Sequence, residues 1–217
     1  MSHQEFDQRR DLIAHCLKMN GTGLNQGTSG NLSVRWADGM LITPSGIAYD
    51  ALEPEDIVFM NLDGRFEHEL EPSSEWRFHR DIYVARPEVN AVVHAHPAHC
   101  TALAIRGMEI PAVHYMIAAC GGPTVRCAGY HTYGTQELSE AAIEALQDRT
   151  GCLLANHGMI ATGASLARAM WLAVEMETLA RQYILSLQLG EPNILPDAEI
   201  ARVVEKFKGY GVKEKGG

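Results

Sequence analysis

The order of strand and helix patterns along the 217 residues is the feature that most limits how this chain can fold. Short apolar segments that predict strands are concentrated early, with Asp-Gly turn signals between them, over 32–36, 40–43 and 57–62. Later, apolar strands over 90–96 and 151–155 alternate with segments of helical spacing. The predicted helices cover 4–19, 73–86, 135–148, 165–189 and 197–208, with a short one after Pro97. This order favours an α/β fold, a mixed sheet with helices packed on its faces.

Length and charge narrow the class of protein. A chain of 217 residues suits one domain, which we predict to span 1–217. The net charge of −9 argues against general nucleic-acid binding, which requires a basic face. No apolar run approaches the roughly 18 residues of a membrane span, and the polar N-terminal residues do not resemble a secretory signal. We therefore expect a cytoplasmic protein with no nucleic-acid or membrane partner.

Two histidines, His94 and His96, lie where an apolar strand ends at Pro97. Side chains of an extended chain alternate between faces, so these two imidazoles point the same way. His157 ends another apolar run and is a third candidate. Three protein ligands and one open position describe a catalytic zinc site. The spacing alone also fits two polar residues at a strand end that hold no metal.

Three loops carry groups that suit an anion. Residues 25–31 contain two glycines three apart, with Thr28 and Asn31 as side-chain donors, and can form a nest of backbone N–H groups. Residues 43–46 end the second strand of the first hairpin, and Ser73 with Ser74 opens a helix. Each loop alone is more often a plain turn or a helix cap. Together they favour a phosphorylated metabolite.

Glu75 follows the serine pair and has two interpretations. A carboxylate in the first turn of a helix complements the helix dipole. The same carboxylate beside a metal would serve as ligand or general base. His79, one turn further along, is expected to pack against its own helix.

Six motifs in order resemble one family. They cover 25–31, 41–46, 72–79, 91–96, 114–122 and 156–158, and they resemble the zinc-dependent class II aldolase/adducin family. The resemblance implies an α/β fold with a central, mostly antiparallel mixed sheet sandwiched by helices. It also implies a homotetramer with active sites at subunit interfaces.

The resemblance assigns roles to residues of this chain. It implies one Zn²⁺ per subunit held by His94, His96 and His157, with the Glu75 carboxylate at the metal as ligand and proton-transfer group. Its phosphate-binding groups correspond to Thr28, Asn31, Ser45, Gly46, Ser73 and Ser74. Tyr115 corresponds to a catalytic tyrosine supplied by a neighbouring subunit, and Tyr210 to a tyrosine of the C-terminal tail. The loop with Tyr133 is expected to border the aldehyde end of the substrate.

The activity implied is reversible cleavage of a ketose 1-phosphate into dihydroxyacetone phosphate and a short aldehyde. L-Fuculose 1-phosphate and a 5-deoxypentulose 1-phosphate are the substrates considered. Alternatives within the family are a sugar-phosphate 4-epimerase, a 3-oxo-tetronate phosphate decarboxylase and a non-catalytic adducin-like scaffold. The family's epimerases carry aspartate at the position of Glu75, which favours the aldolase. The three histidines with Glu75 argue against the scaffold.

Overall fold

The computed structural model describes residues 1–208. Its helices are α1 (His3–Gly21), α2 (Trp76–Ala85), α3 (Ala98–Ile105), α4 (Gln136–Ala145), α5 (Leu166–Leu187) and α6 (Asp197–Lys208). Its strands are β1 (Asn31–Trp36), β2 (Gly39–Ile42), β3 (Val58–Asn61), β4 (Ala91–Ala95), β5 (Cys127–Ala128), β6 (Gly151–Leu154) and β7 (Gly158–Gly163). Among these described helices, none combines the length and apolar character needed to cross a bilayer.

The seven strands form one sheet in the order β3-β2-β1-β4-β7-β6-β5. Every neighbouring pair is antiparallel except β5 and β6, which are parallel. The predicted fold class, a mostly antiparallel mixed sheet between helices, is confirmed. The assignment of 1–217 to one domain stays a prediction.

The two faces of the sheet pack against different helices. Val93 belongs to a core shared with α1, α3 and α5, whereas its neighbour Val92 belongs to a core shared with α2 and α4. Because strand side chains alternate, His94 lies on the same face as Val92, where its ring contacts Phe78 of α2. The site therefore lies on the face that α2 covers.

Strand β7 was not predicted from the sequence. It runs between β4 and β6, and every residue from Gly158 to Thr162 is buried. The segment is short, has glycine at both ends and has no polar–apolar alternation, since both of its faces are covered. Local sequence therefore gives little sign of a strand that tertiary pairing creates.

Candidate metal centre and active site

His94, His96 and His157 converge at one end of the sheet. His94 lies in β4, His96 follows that strand, and His157 lies in the turn between β6 and β7. The three ring centroids are 4.8 Å apart in every pair. His94 Nε2 and His96 Nε2 are 2.9 Å apart, so these two side chains do point the same way. The rings form an equilateral triangle with their Nε2 atoms inward.

The turn before β7 brings His157 against the end of β4. Asn156 has a left-handed backbone (φ 54°), which asparagine tolerates better than most residues. Gly158 follows, and a Cβ at this position would lie 2.5 Å from the Ala95 carbonyl oxygen and 2.6 Å from His96 Cδ2. Only glycine allows this approach, so Gly158 sets the distance between His157 and His96.

Glu75 completes the cluster from α2. It is the residue before the helix, but its carboxylate does not bond the N–H groups of that helix. The side chain is buried, with Oε2 3.1 Å from His94 Nε2 and Oε1 3.2 Å from His157 Nε2. Of its two interpretations, the geometry matches the carboxylate beside a metal.

The hydrogen-bond chemistry of the cluster calls for a cation. His94 Nδ1 lies 2.9 Å from the Met159 carbonyl oxygen, and since a carbonyl only accepts, Nδ1 carries the proton. In its neutral form the ring then presents an unprotonated Nε2 to Glu75 and His96, as metal-ligating histidines do. Within residues 1–208, Glu75 Oε1 is buried without a hydrogen-bond partner. Several lone pairs thus face one point, which a divalent metal would satisfy.

The pKa shifts of Glu75 and His96 favour the protonation states that bind a divalent metal ion. Burial raises the pKa of the Glu75 carboxyl, but a proton on Nε2 of His94 or His157, or a divalent ion in its place, outweighs burial and holds that pKa well below its usual value. Burial lowers the pKa of His96 to about 3. An ionised carboxylate and neutral imidazoles are the forms that bind zinc.

A cleft of about 410 Å³ opens beside the cluster. The predicted substrate residues that line it are Thr28, Asn31, Ser45, Gly46, Ser73, Ser74 and Tyr133. Among the described residues that line it there is no Lys or Arg. An anion would therefore bind hydroxyl groups and backbone N–H groups near the start of α2.

The loops around 43–46 and 72–75 are joined to each other. Ser45 Oγ donates to the Pro72 carbonyl oxygen (2.9 Å) and accepts from Ser74 N–H (3.0 Å). Ser73 N–H donates to the Thr43 carbonyl oxygen (2.9 Å). Ser45 thus has a structural function besides lining the cleft.

The outer wall of the cleft is the segment with Tyr130, His131 and Tyr133. Arg77 of α2 holds this segment by donating to the Gly134 carbonyl oxygen (2.7 Å). Tyr130 was not among the predicted residues, nor was Asn156, which also lines the cleft. The signals that could have found them are the position of Tyr130 three residues before Tyr133 and the place of Asn156 within the motif 156–158.

Tyr115 lies away from the cleft of its own chain. It begins a 3₁₀ helix, Tyr115–Cys120, is 50% exposed, and lines a separate hollow beside α5 and α6. Its predicted position in a neighbouring subunit's site stays a prediction. Tyr210 lies outside the described residues.

Comparison with known proteins identifies the family. Residues 10–184 match the family described as Class II Aldolase and Adducin N-terminal domain, and the chain belongs to this family. The predicted family is therefore confirmed.

Proteins that share 42–54% sequence identity with this chain are named as aldolases. An L-fuculose phosphate aldolase of Escherichia coli K12 is 53% identical over 205 residues, which cover 94% of this chain and 95% of that protein. A 5-methylthioribulose-1-phosphate/5-deoxyribulose-1-phosphate aldolase of Rhodospirillum rubrum is 54% identical over 203 residues, 94% of this chain and 92% of that one. A solved L-fuculose 1-phosphate aldolase superposes with a TM-score of 0.92 at 42% identity, covering 96% of this chain and 98% of that chain. The predicted enzyme class, an aldolase and hence a lyase, is confirmed.

Proposed function

We propose that this protein is a zinc-dependent aldolase that reversibly cleaves a ketose 1-phosphate into dihydroxyacetone phosphate and a short aldehyde. The observation that carries the proposal is the convergence of three imidazoles and one buried carboxylate, with ligand atoms within 4.8 Å of one another, beside a cleft lined by serine and threonine hydroxyls. L-Fuculose 1-phosphate and 5-deoxyribulose 1-phosphate are the candidate substrates, since both appear in the names of relatives more than half identical to this chain.

His94, His96, His157 and Glu75 would hold one Zn²⁺ per subunit. When bound, zinc supplies Lewis-acid stabilisation of the negative charge that develops on the substrate oxygens. A Schiff base is poorly supported, because Lys18 lies in α1 and every other lysine lies at or after Lys206.

Glu75 is the proposed proton-transfer group. In the synthetic direction it removes a proton from the hydroxymethyl carbon of dihydroxyacetone phosphate, and in the cleavage direction it returns that proton. Its burial without a hydrogen-bond partner on Oε1 leaves one oxygen available as a base. Thr28, Asn31, Ser45, Gly46, Ser73 and Ser74 would bind the phosphate, which keeps the reacting carbons beside the metal.

Tyr115 of a neighbouring subunit would exchange a proton with the aldehyde oxygen, and Tyr133 and Tyr210 would border the aldehyde. A phenol O–H is a hydrogen-bond donor that can pass its proton to a developing oxyanion. We propose a cytoplasmic homotetramer, which the family resemblance and the distance of Tyr115 from its own cleft support. The five cysteines are all free, as a reducing compartment would keep them.

The activity is tested by kcat/KM for L-fuculose 1-phosphate, 5-deoxyribulose 1-phosphate and 5-methylthioribulose 1-phosphate, with dihydroxyacetone phosphate detected by a coupled reductase. We expect release of dihydroxyacetone phosphate from at least one, abolished by a chelator and restored by zinc. Substrate conversion without dihydroxyacetone phosphate would indicate the 4-epimerase. Release of CO₂ from a 3-oxo-tetronate phosphate would indicate the decarboxylase, and purified protein that binds no metal would indicate the scaffold.

Subunit mixing tests the position of Tyr115. Oligomers of Glu75→Gln subunits alone or Tyr115→Phe subunits alone should be strongly impaired. Mixed oligomers made by co-expression should regain activity, because an intact Glu75 from one subunit can meet an intact Tyr115 from its neighbour. Mixed oligomers no more active than the average of the two parents would assign Tyr115 to its own chain or to no catalytic role.

A further inference from the structure

A continuous chain of hydrogen bonds runs through the protein interior from Tyr83 of α2 to Glu75 of the candidate metal site. The Tyr83 hydroxyl lies 2.8 Å from Ser33 Oγ, which lies 2.7 Å from His79 Nδ1. His79 Nε2 lies 2.6 Å from Asn31 Oδ1, and Asn31 Nδ2 lies 3.0 Å from Glu75 Oε2. All five side chains are buried. The hydrogen-bond chain therefore ends on the carboxylate that the proposed function uses as a base.

The chemistry of these groups fixes the direction of every bond. An ionised carboxylate only accepts, so Asn31 presents its NH₂ group to Glu75 and its oxygen to His79. That oxygen needs a donor, which makes Nε2 the protonated nitrogen of His79. A neutral imidazole has one N–H, so His79 Nδ1 accepts from Ser33 and Ser33 accepts from Tyr83. Each donor in the hydrogen-bond chain thus points toward Glu75.

His79 is suited to remain neutral. Burial lowers the pKa of His79 to about 3. Its ring stacks on Phe78 with centroids 4.7 Å apart, which fixes the ring plane. The sequence indicates that His79 packs against its own helix, and its stacking on Phe78 agrees with this. In addition, both ring nitrogens bond β1 residues across the interface between α2 and the sheet.

We propose that His79 is a positioning residue for Glu75, acting through Asn31. Its Nε2–H holds the Asn31 carboxamide in the one orientation that gives Glu75 a donor on Oε2 and leaves Oε1 toward His157. If the amide turned over, its oxygen would face the carboxylate and repel it. This inference rests on the proposed function of Glu75.

A matched pair of substitutions separates positioning from packing. His79→Gln keeps an N–H donor close to the position of Nε2, whereas His79→Leu has similar volume and no donor. We expect His79→Leu to lower kcat by about 10- to 100-fold, because a hydrogen bond to a charged group, here from Asn31 to Glu75, contributes an effect of this size. KM should stay within about twofold of wild type, and zinc content should be unchanged. His79→Gln should keep kcat within about fivefold of wild type, because it keeps the N–H donor and changes only the geometry of one hydrogen bond.

The control is Ser139→Ala. Ser139 of α4 is fully buried and donates to Asp81 of α2 at 2.6 Å, so its loss removes a hydrogen bond of the same kind outside the hydrogen-bond chain. We expect lower stability and unchanged kcat. Equal loss of kcat in the Gln and Leu variants, or in the Ser139 control, would overturn a specific positioning role and leave only packing.

A second measurement does not depend on activity. In zinc-loaded wild-type protein with ¹⁵N-labelled histidine, two-bond ¹H–¹⁵N NMR correlations report which ring nitrogen is protonated, and His79→Gln identifies the His79 signals. Protonation at Nε2 is expected, and protonation at Nδ1 would overturn the inference even if the Leu variant fails to fold.

If the wild type cleaves no ketose 1-phosphate, the proposed function fails while this measurement still tests the tautomer. If the wild type is active and His79→Leu retains its kcat, the inference alone fails.

Discussion

Glu75→Gln is expected to lower kcat by about 10²- to 10⁴-fold, the usual contribution of a general acid–base group. Glutamine has nearly the same shape but cannot accept the proton. Zinc content should stay near the wild-type value, because His94, His96 and His157 remain as ligands. Metal analysis and steady-state kinetics on the same preparation check both parts.

The proton step can be measured separately from cleavage. NMR of solvent deuterium entering dihydroxyacetone phosphate, without any aldehyde present, should detect exchange in the wild type and little in Glu75→Gln. The matched control is Asp81→Asn, a partly buried carboxylate of α2 outside the cleft, which accepts from Ser139 and Gln136. Wild-type exchange in Glu75→Gln would remove Glu75 as the base, whereas loss in Asp81→Asn would point to damage to α2.

His157→Ala is expected to lose zinc and activity together. Removing one of three imidazoles should weaken zinc binding by more than about 100-fold, since losing even an outer partner of a ligand costs about 10- to 100-fold. His157 is preferred to His94 for this test because His94 is fully buried, so its removal would also leave a cavity in the core.

The readouts are zinc bound per subunit after dialysis and kcat/KM with and without added zinc. High zinc should restore part of the activity if the vacant position is the cause. His15→Ala is the control, since His15 lies in α1, beside Asp11 and far along the chain from the cluster. Full zinc occupancy in His157→Ala would contradict the three-histidine assignment.

Part of the candidate site could be predicted from the sequence, because some of its features depend only on a few neighbouring residues. The shared orientation of His94 and His96 follows from the two-residue period of a strand, which holds wherever the strand lies. The serine pair before α2 and the glycine-rich segment 25–31 predict anion sites for the same reason, since turn geometry and helix ends are properties of short segments. The structure brings these loops to one cleft.

The choice between the two functions of Glu75 could not be made locally. Its distance from His94 depends on how α2 packs on the sheet, and Asn31 reaches it because the β1–β4 register sets Asn31 directly opposite His94. His79 illustrates the same limit, since its partners Ser33 and Asn31 are 46 and 48 residues away. Strand β7 is a strand because it pairs on both sides.

The sequence alone therefore determined which groups this protein offers to a metal and an anion, because spacing and turn chemistry are encoded within a few residues. Only the tertiary structure decided which of them meet. It placed His94 Nδ1 on the Met159 carbonyl oxygen and Nε2 opposite Glu75, and it placed Tyr115 away from its own cleft. The physical reason is that hydrogen-bond direction and burial arise from strand register and helix packing between segments far apart in the chain.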